Sequence, residues 1–320
     1  MSRAPRSRTE LSWRVLVTSV VVAVAMLAGC RGRRDEVEKL ADEQGLTIRF
    51  AADQRGVAWL ASDGGWDSPT RLWVFNSGGQ PFTLATGLLF GLALAGDTVY
   101  WAAGEHIWKS PRDRSLPAQV AEINDTPKEL VVADGFVYWV LPRQIGRIAI
   151  AGGTSQLVGQ PPIKDALFDH LAVDHDRIVV AVARPSRSGR WTTEVWQLDG
   201  EPRRITTIDT LVNRLIIDGE TIVWSRYNTK QEEVEIIVMD FAGAQQGASL
   251  PGSLLAAHDG MIYTTGYGWT DETYVIDRDR RERRIGPRAT DATLVNGRLV
   301  GRFIDDEFNT TIGSVPTVGD

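Results

Sequence analysis

Few places in this chain gather side chains able to do chemistry. The densest is Asp165, Asp169, His170, Asp174, His175 and Asp176. Histidine with carboxylates would suit zinc or manganese, and carboxylates alone would suit calcium. The spacing argues against one site. Asp174 and Asp176 fall in a turn between two apolar runs, and Asp165 and Asp169 lie at the other end of the intervening strand. Alternation along that strand sends His170 and Leu171 to opposite faces. The other histidines, His106 and His258, sit at a strand start and beside a turn, and Asp305-Asp306-Glu307 reads as a solvated acidic loop. There is no G-x-S-x-G elbow, H-E-x-x-H, Walker A loop or G-x-G-x-x-G. The residues assign no catalytic group, no metal site and no cofactor, and the expectation is a protein that is not an enzyme.

A second set of residues suits binding. Trp66, Arg187, Arg190, Trp191, Tyr227, Tyr267, Trp269 and Phe308 sit in connections that are longer than their counterparts elsewhere in the chain. Large aromatics beside arginine have the composition of an interface hot spot or of a sugar-stacking platform.

The elements that must carry these residues repeat. Apolar runs begin at Phe50, Leu92, Leu130, Leu171, Leu215, Leu255 and Thr293, and their last columns fall at Trp59, Trp101, Trp139, Val180, Trp224, Thr264 and Gly301. The steps between those columns are 42, 38, 41, 44, 40 and 37 residues. A period near 40 with no helical pattern inside it predicts four short strands per unit and a β-propeller of seven blades. Asp134-Gly135, Asp218-Gly219, Asp259-Gly260 and Asn296-Gly297 join first strands to second. Such dipeptides accept positive φ at both positions of a tight hairpin turn. The repeated tryptophans read as packing between blades. First strands such as Leu92-Ala93-Leu94 are apolar, so the central channel is expected to offer few metal ligands. The seventh unit ends after its third strand, and residues 37–41 match 81–85, so an N-terminal strand is expected to complete the last blade. The uneven second-to-third loops then share one face with the crossovers between blades, where function usually resides.

With these residues in view, the chain resembles the YWTD/NHL-like propellers, especially bacterial lipoproteins built on a recurring strand–turn–strand phrase. Residues 130–159 fit it best, with LVVADGFVYW, then GRIAIAGG, then QLVG. The Trp269-Thr270-Asp271 triplet is out of register with the strand that would carry YWTD. The resemblance implies fold and a binding role, not a reaction.

The N-terminus reads as an address. Arg3, Arg6, Arg8 and Arg14 precede an uncharged run over residues 15–28, short for a membrane span and suited to a cleaved signal. Leu27, Ala28, Gly29 and Cys30 resemble a lipobox, which implies cleavage before Cys30 and attachment of palmitate-type chains to the one cysteine in the chain. The organisation expected is a signal peptide over 1–29, a lipidated tether over 30–35 and a propeller over 36–320. Beyond the signal, 31 basic residues face 40 acidic ones, a formal charge of −9 that argues against nucleic acid as a partner. Arg31 in place of an acidic retention signal favours the outer membrane of the cell envelope.

The functional expectation is a monomeric, non-catalytic lipoprotein held at the membrane through Cys30, its loop face binding a protein or peptide. A lactonase-like propeller hydrolase with a channel metal is the alternative, and carbohydrate binding by the aromatic loops is another.

Overall fold

Among the described residues, runs of β-branched and aromatic residues are repeatedly cut by Gly, Asp or Asn, a pattern that favours short strands over helices. A computed structural model describes residues 37–42, 46–62, 64, 68–186, 190–266, 272–305 and 309–317, and every regular element among them is a β-strand.

Five blades are separate four-stranded antiparallel sheets in simple sequence order, with first strands Leu46–Asp53, Leu89–Ala95, Glu129–Ala133, Leu167–Asp174 and Val212–Asp218. The sixth and seventh are joined in one seven-stranded sheet because Glu282–Val295 serves both. Its first half pairs with Glu272–Ile276 as the last strand of blade 6, and its second half pairs with Arg298–Ile304 as the first strand of blade 7. Glu38–Asp42 pairs with Thr310–Pro316 and supplies the missing strand of blade 7. The expected closure by an N-terminal strand is present, and the fold is a seven-bladed β-propeller.

Between blades lies the core, in seven clusters with one at each blade interface. Trp59 packs with Ala41, Val300 and Ile312 of blade 7; Trp101 with Leu60 and Leu72 of blade 1; Trp139 with Tyr100 and Ile107 of blade 2; Trp224 with Val179 and Val195 of blade 4. Each indole therefore faces the preceding blade, as the repeated register predicts. Burying one is worth roughly 3 kcal/mol in transfer energy alone, which makes these the largest single contributions to blade stacking.

Three of the four anticipated turn dipeptides have positive φ at both residues: Asp134-Gly135, Asp259-Gly260 and Asn296-Gly297. The fourth does not. Asp218 stays in the strand, paired with Thr221, and the turn begins at Gly219. Freed from the turn, the Asp218 carboxylate accepts hydrogen bonds from the backbone N–H groups of Asp259 (2.8 Å) and Gly260 (2.7 Å), clamping blade 5 to blade 6.

Crossovers from one blade to the next are pinned by buried threonines. Thr70 Oγ1 donates to the Gly87 carbonyl and accepts from the Leu89 amide, while Thr273 Oγ1 does the same with Pro287 and Ala289. Each such threonine holds the next first strand at the start of its descent along the channel.

Candidate functional site: the mouth of the central channel

Six of the seven first strands contain a β-bulge near their start, as between Thr47 and Arg49, Phe90 and Leu92, Phe168 and His170, or Val212 and Arg214. A bulge bends the strand and re-aims the side chains beside it, and bulges are frequent next to functional sites. Here they sit at the loop-face end of the channel. The residues at and just before the repeated apolar column line a cavity of about 600 Å³, among them Arg49, Lys128, Glu129, Asp169, His170, Arg214 and Asp291.

The expectation of a mainly apolar channel is thus corrected. The apolar columns begin at Phe50, Leu130, Leu171 and Leu215, and the charged side chains stand immediately before them. Read in sequence, those residues look like polar strand starts facing solvent. Only closure of the ring brings them together.

Most of these charges pair around the channel. Lys128 Nζ lies 3.2 Å from Asp169, and His170 Nδ1 lies 3.8 Å from Glu129, both between blades 3 and 4. Glu129 also accepts from the Leu171 amide at 3.2 Å. Two arginines reach further. Arg214 of blade 5 donates to Asp291 (3.1 Å) and to the Ala292 carbonyl (3.0 Å) of blade 7, passing over blade 6. Arg49 of blade 1 donates to the Lys128 carbonyl (3.3 Å) of blade 3, passing over blade 2. The residue it passes is Gly91, whose φ is +52° and where a Cβ would lie 2.8 Å from Leu130 Cγ. Glycine there admits the bulge and the close approach of Leu130.

Burial pushes the Glu129 carboxyl above its usual range, against the opposing pull of His170, the Leu171 amide, Arg49 and Arg214. The part of its side chain that remains accessible opens onto the channel. Among the described residues lining this mouth, Arg49 is the one charged side chain with no opposite charge at ion-pair distance; its recorded partners are the Ile48 and Lys128 carbonyls. Beside it an apolar cleft of about 240 Å³ opens, lined by Ile48, Leu88, Leu89, Phe90 and Pro127, with Arg49 and Lys128 on the boundary between cleft and channel.

The binding residues expected on the loop face fall into two groups. Trp66, Arg187, Tyr267, Trp269 and Phe308 lie outside the described residues, as do Leu27, Ala28, Gly29 and Cys30. Arg190, Trp191 and Tyr227 are described and solvent-exposed. Trp191 and Tyr227 are on strands, not in loops, because the second-to-third hairpins keep pairing outward: Trp191 with Pro185, and Tyr227 with Val234. Below the loop face, buried carboxylates brace these extensions. Glu194 meets Arg184 (3.1 Å) and Arg204 (3.5 Å), and Glu235 accepts from Arg226 Nε at 2.8 Å.

The acidic constellation of blade 4 divides as its spacing implies. Asp169 and His170 reach the channel mouth, whereas Asp174 and His175 contact one another at the hairpin turn. Among the described residues, one trio of metal-capable side chains converges: Asp218, His258 and Asp259. Both Asp218 oxygens already accept backbone N–H groups, which gives that trio a structural explanation.

No protein-family model and no curated protein matches the sequence. Solved structures do resemble the fold. The puromycin hydrolase S511A mutant complexed with PGG is 12% identical, with 86% of this chain and 54% of that one covered at a TM-score of 0.60. The WD40 beta propeller domain of Doa1 is 16% identical over 88% of this chain and 94% of that one, at 0.57. An oligogalacturonate lyase in complex with manganese is 12% identical over 83% and 81%, at 0.52. At such identities the likeness is one of fold, and a fold that carries hydrolase, lyase and WD40 proteins alike does not choose among them. The chain is a β-propeller.

Proposed function

We propose that this protein is a non-catalytic, lipid-anchored component of the bacterial cell envelope whose loop face binds a protein or peptide partner. One observation carries the reading. Of the six large apolar side chains exposed among the described residues, four lie on the loop face: Leu88 on the cleft beside the channel mouth, Leu211 at a crossover, and Trp191 and Tyr227 on the extended hairpins. Exposed aromatic and aliphatic side chains on the face that also carries a charged cavity supply both the apolar anchors and the polar groups that a binding surface uses. A groove between blades 5 and 6, lined by Tyr227, Glu233, Gly252 and Arg288, extends that surface outward.

The test is site-specific photocrosslinking in intact cells, with the crosslinker at position 191 or 227 and, as a control, at 116 on a hairpin of the opposite face. The loop-face positions should capture one discrete partner and position 116 should not. Equal capture from both faces, or none from the loop face, overturns the assignment. Anchorage is tested separately. Mass spectrometry of the mature N-terminus is expected to find Cys30 carrying fatty chains, and an unmodified Cys30 would remove the membrane from the account. Membrane fractionation then tests the outer-membrane placement that Arg31 suggests.

A second reading, a hydrolase, is favoured by Glu129: a carboxyl held above its usual range and facing a cavity beside a histidine is suited to donate a proton. Hydrolysis of esters or lactones by the purified protein, abolished by Glu129→Gln, would replace the first reading.

A further inference from the structure

From the geometry of the channel mouth we propose that it is a receptor for a polypeptide C-terminus, with Arg49 taking the terminal carboxylate and the adjoining cleft taking an apolar last side chain. The inference deepens the loop-face reading and rests on it for the chain that brings the terminus.

Charge accounting comes first. Lys128 is engaged by Asp169 and Arg214 by Asp291, while Glu129 has His170 Nδ1 at 3.8 Å and feels Arg49 from further off; among the described residues of the mouth, Arg49 is the cation with no carboxylate at ion-pair distance. Arginine has five N–H donors in a planar fork that matches a carboxylate. Among the described residues, Arg49 donates to two backbone carbonyls, which hold the fork in place and leave its remaining N–H donors for a ligand. A carboxylate entering the mouth would complete the pairing.

Shape decides what the carboxylate is attached to. The cleft touching Arg49 is walled mainly by Ile48, Leu88, Leu89, Phe90 and Pro127, with Ser68, Thr70 and Thr126 also on its lining, so it favours an apolar group next to the carboxylate. Its volume of about 240 Å³ is below that of a typical drug-sized pocket and admits roughly one side chain. A free C-terminal residue with an aliphatic side chain presents both features from a single carbon. Upstream residues of the same chain would leave the channel across the face where Trp191, Leu211 and Tyr227 are exposed.

Fluorescence anisotropy on the detergent-solubilised full chain tests this with a labelled pentapeptide ending in Val-Leu, as free acid and as C-terminal amide. Hexanoate serves as an unlabelled competitor. The free acid should bind about tenfold or more tightly than the amide. Arg49→Gln should lose that preference with an unchanged thermal midpoint, and Arg49→Lys should retain part of it. Equal binding of acid and amide, no binding of either, or an unaltered preference in Arg49→Gln overturns the proposal. So does hexanoate competing as strongly as the unlabelled peptide acid, which would make the ligand a small carboxylic acid. Crosslinking at 191 and 227 that persists alongside any of these failures would leave the loop-face reading intact. Loss of that crosslinking with the acid preference retained would count against the loop-face reading alone.

Discussion

Glu235 is buried and Glu129 half-buried at the channel mouth, and their surroundings drive the two carboxyls in opposite directions. At Glu129 burial prevails, so the folded protein holds that proton more tightly than the unfolded chain does. Stability should therefore decline as pH rises from the ordinary glutamate range, about 4.3, towards the elevated folded value. Glu129→Gln keeps an acceptor for the Leu171 amide and removes the titration. Urea denaturation across that range should show a flatter profile for the variant, and greater stability at neutral pH. An identical slope in both proteins would contradict this. At Glu235 burial also pushes the carboxyl upward, but hydrogen bonds from Ser249, Arg226 and Asn228 outweigh it and leave the group below its usual range. Its contribution is present above the unfolded value and lost as pH falls through the folded one. Glu235→Gln should cost about 2 kcal/mol at neutral pH and progressively less in acid, by the same denaturation measurement.

Among the elements, the second and third strands show how much packing is set by single positions. Gly146 is paired with Trp139, and a Cβ there would lie 2.3 Å from the indole ring. Gly146→Ala should force that indole off the preceding blade and cost about 2 kcal/mol, read as a lowered denaturation midpoint with the strand content preserved by circular dichroism. The repeated tryptophans, the turn dipeptides and the closing strand were legible because each recurs at the blade period. The channel mouth was not, for a physical reason. Arg49, Glu129, His170, Arg214 and Asp291 are far apart in sequence and differ in type from blade to blade, and all but Glu129 sit beside bulges that shift the alternation used to assign faces. Asp218 misled the turn assignment for a related reason: its side chain serves the neighbouring blade, which no local pattern records.

At the scale of the molecule, the ring is held shut by a five-residue strand. Glu38–Asp42 pairs with Thr310–Pro316, Arg298 donates to Glu38 at 2.7 Å, and Ala41 is buried with Trp59, Val300 and Ile312. Ala41→Asp places an unpaired carboxylate in that cluster and should cost about 3 kcal/mol or more. It should also bare the edge of Thr310–Pro316, so that size-exclusion chromatography shows oligomers formed edge to edge. A monomer of unaltered thermal midpoint would mean that the strand is dispensable. The same pairing joins residues about 270 positions apart, with every other blade lying between them in sequence. A chain synthesised from its N-terminus cannot finish its last blade until residue 316 has been made. The opening strand has no partner until then, so the time taken to complete the chain sets how long the ring stays open.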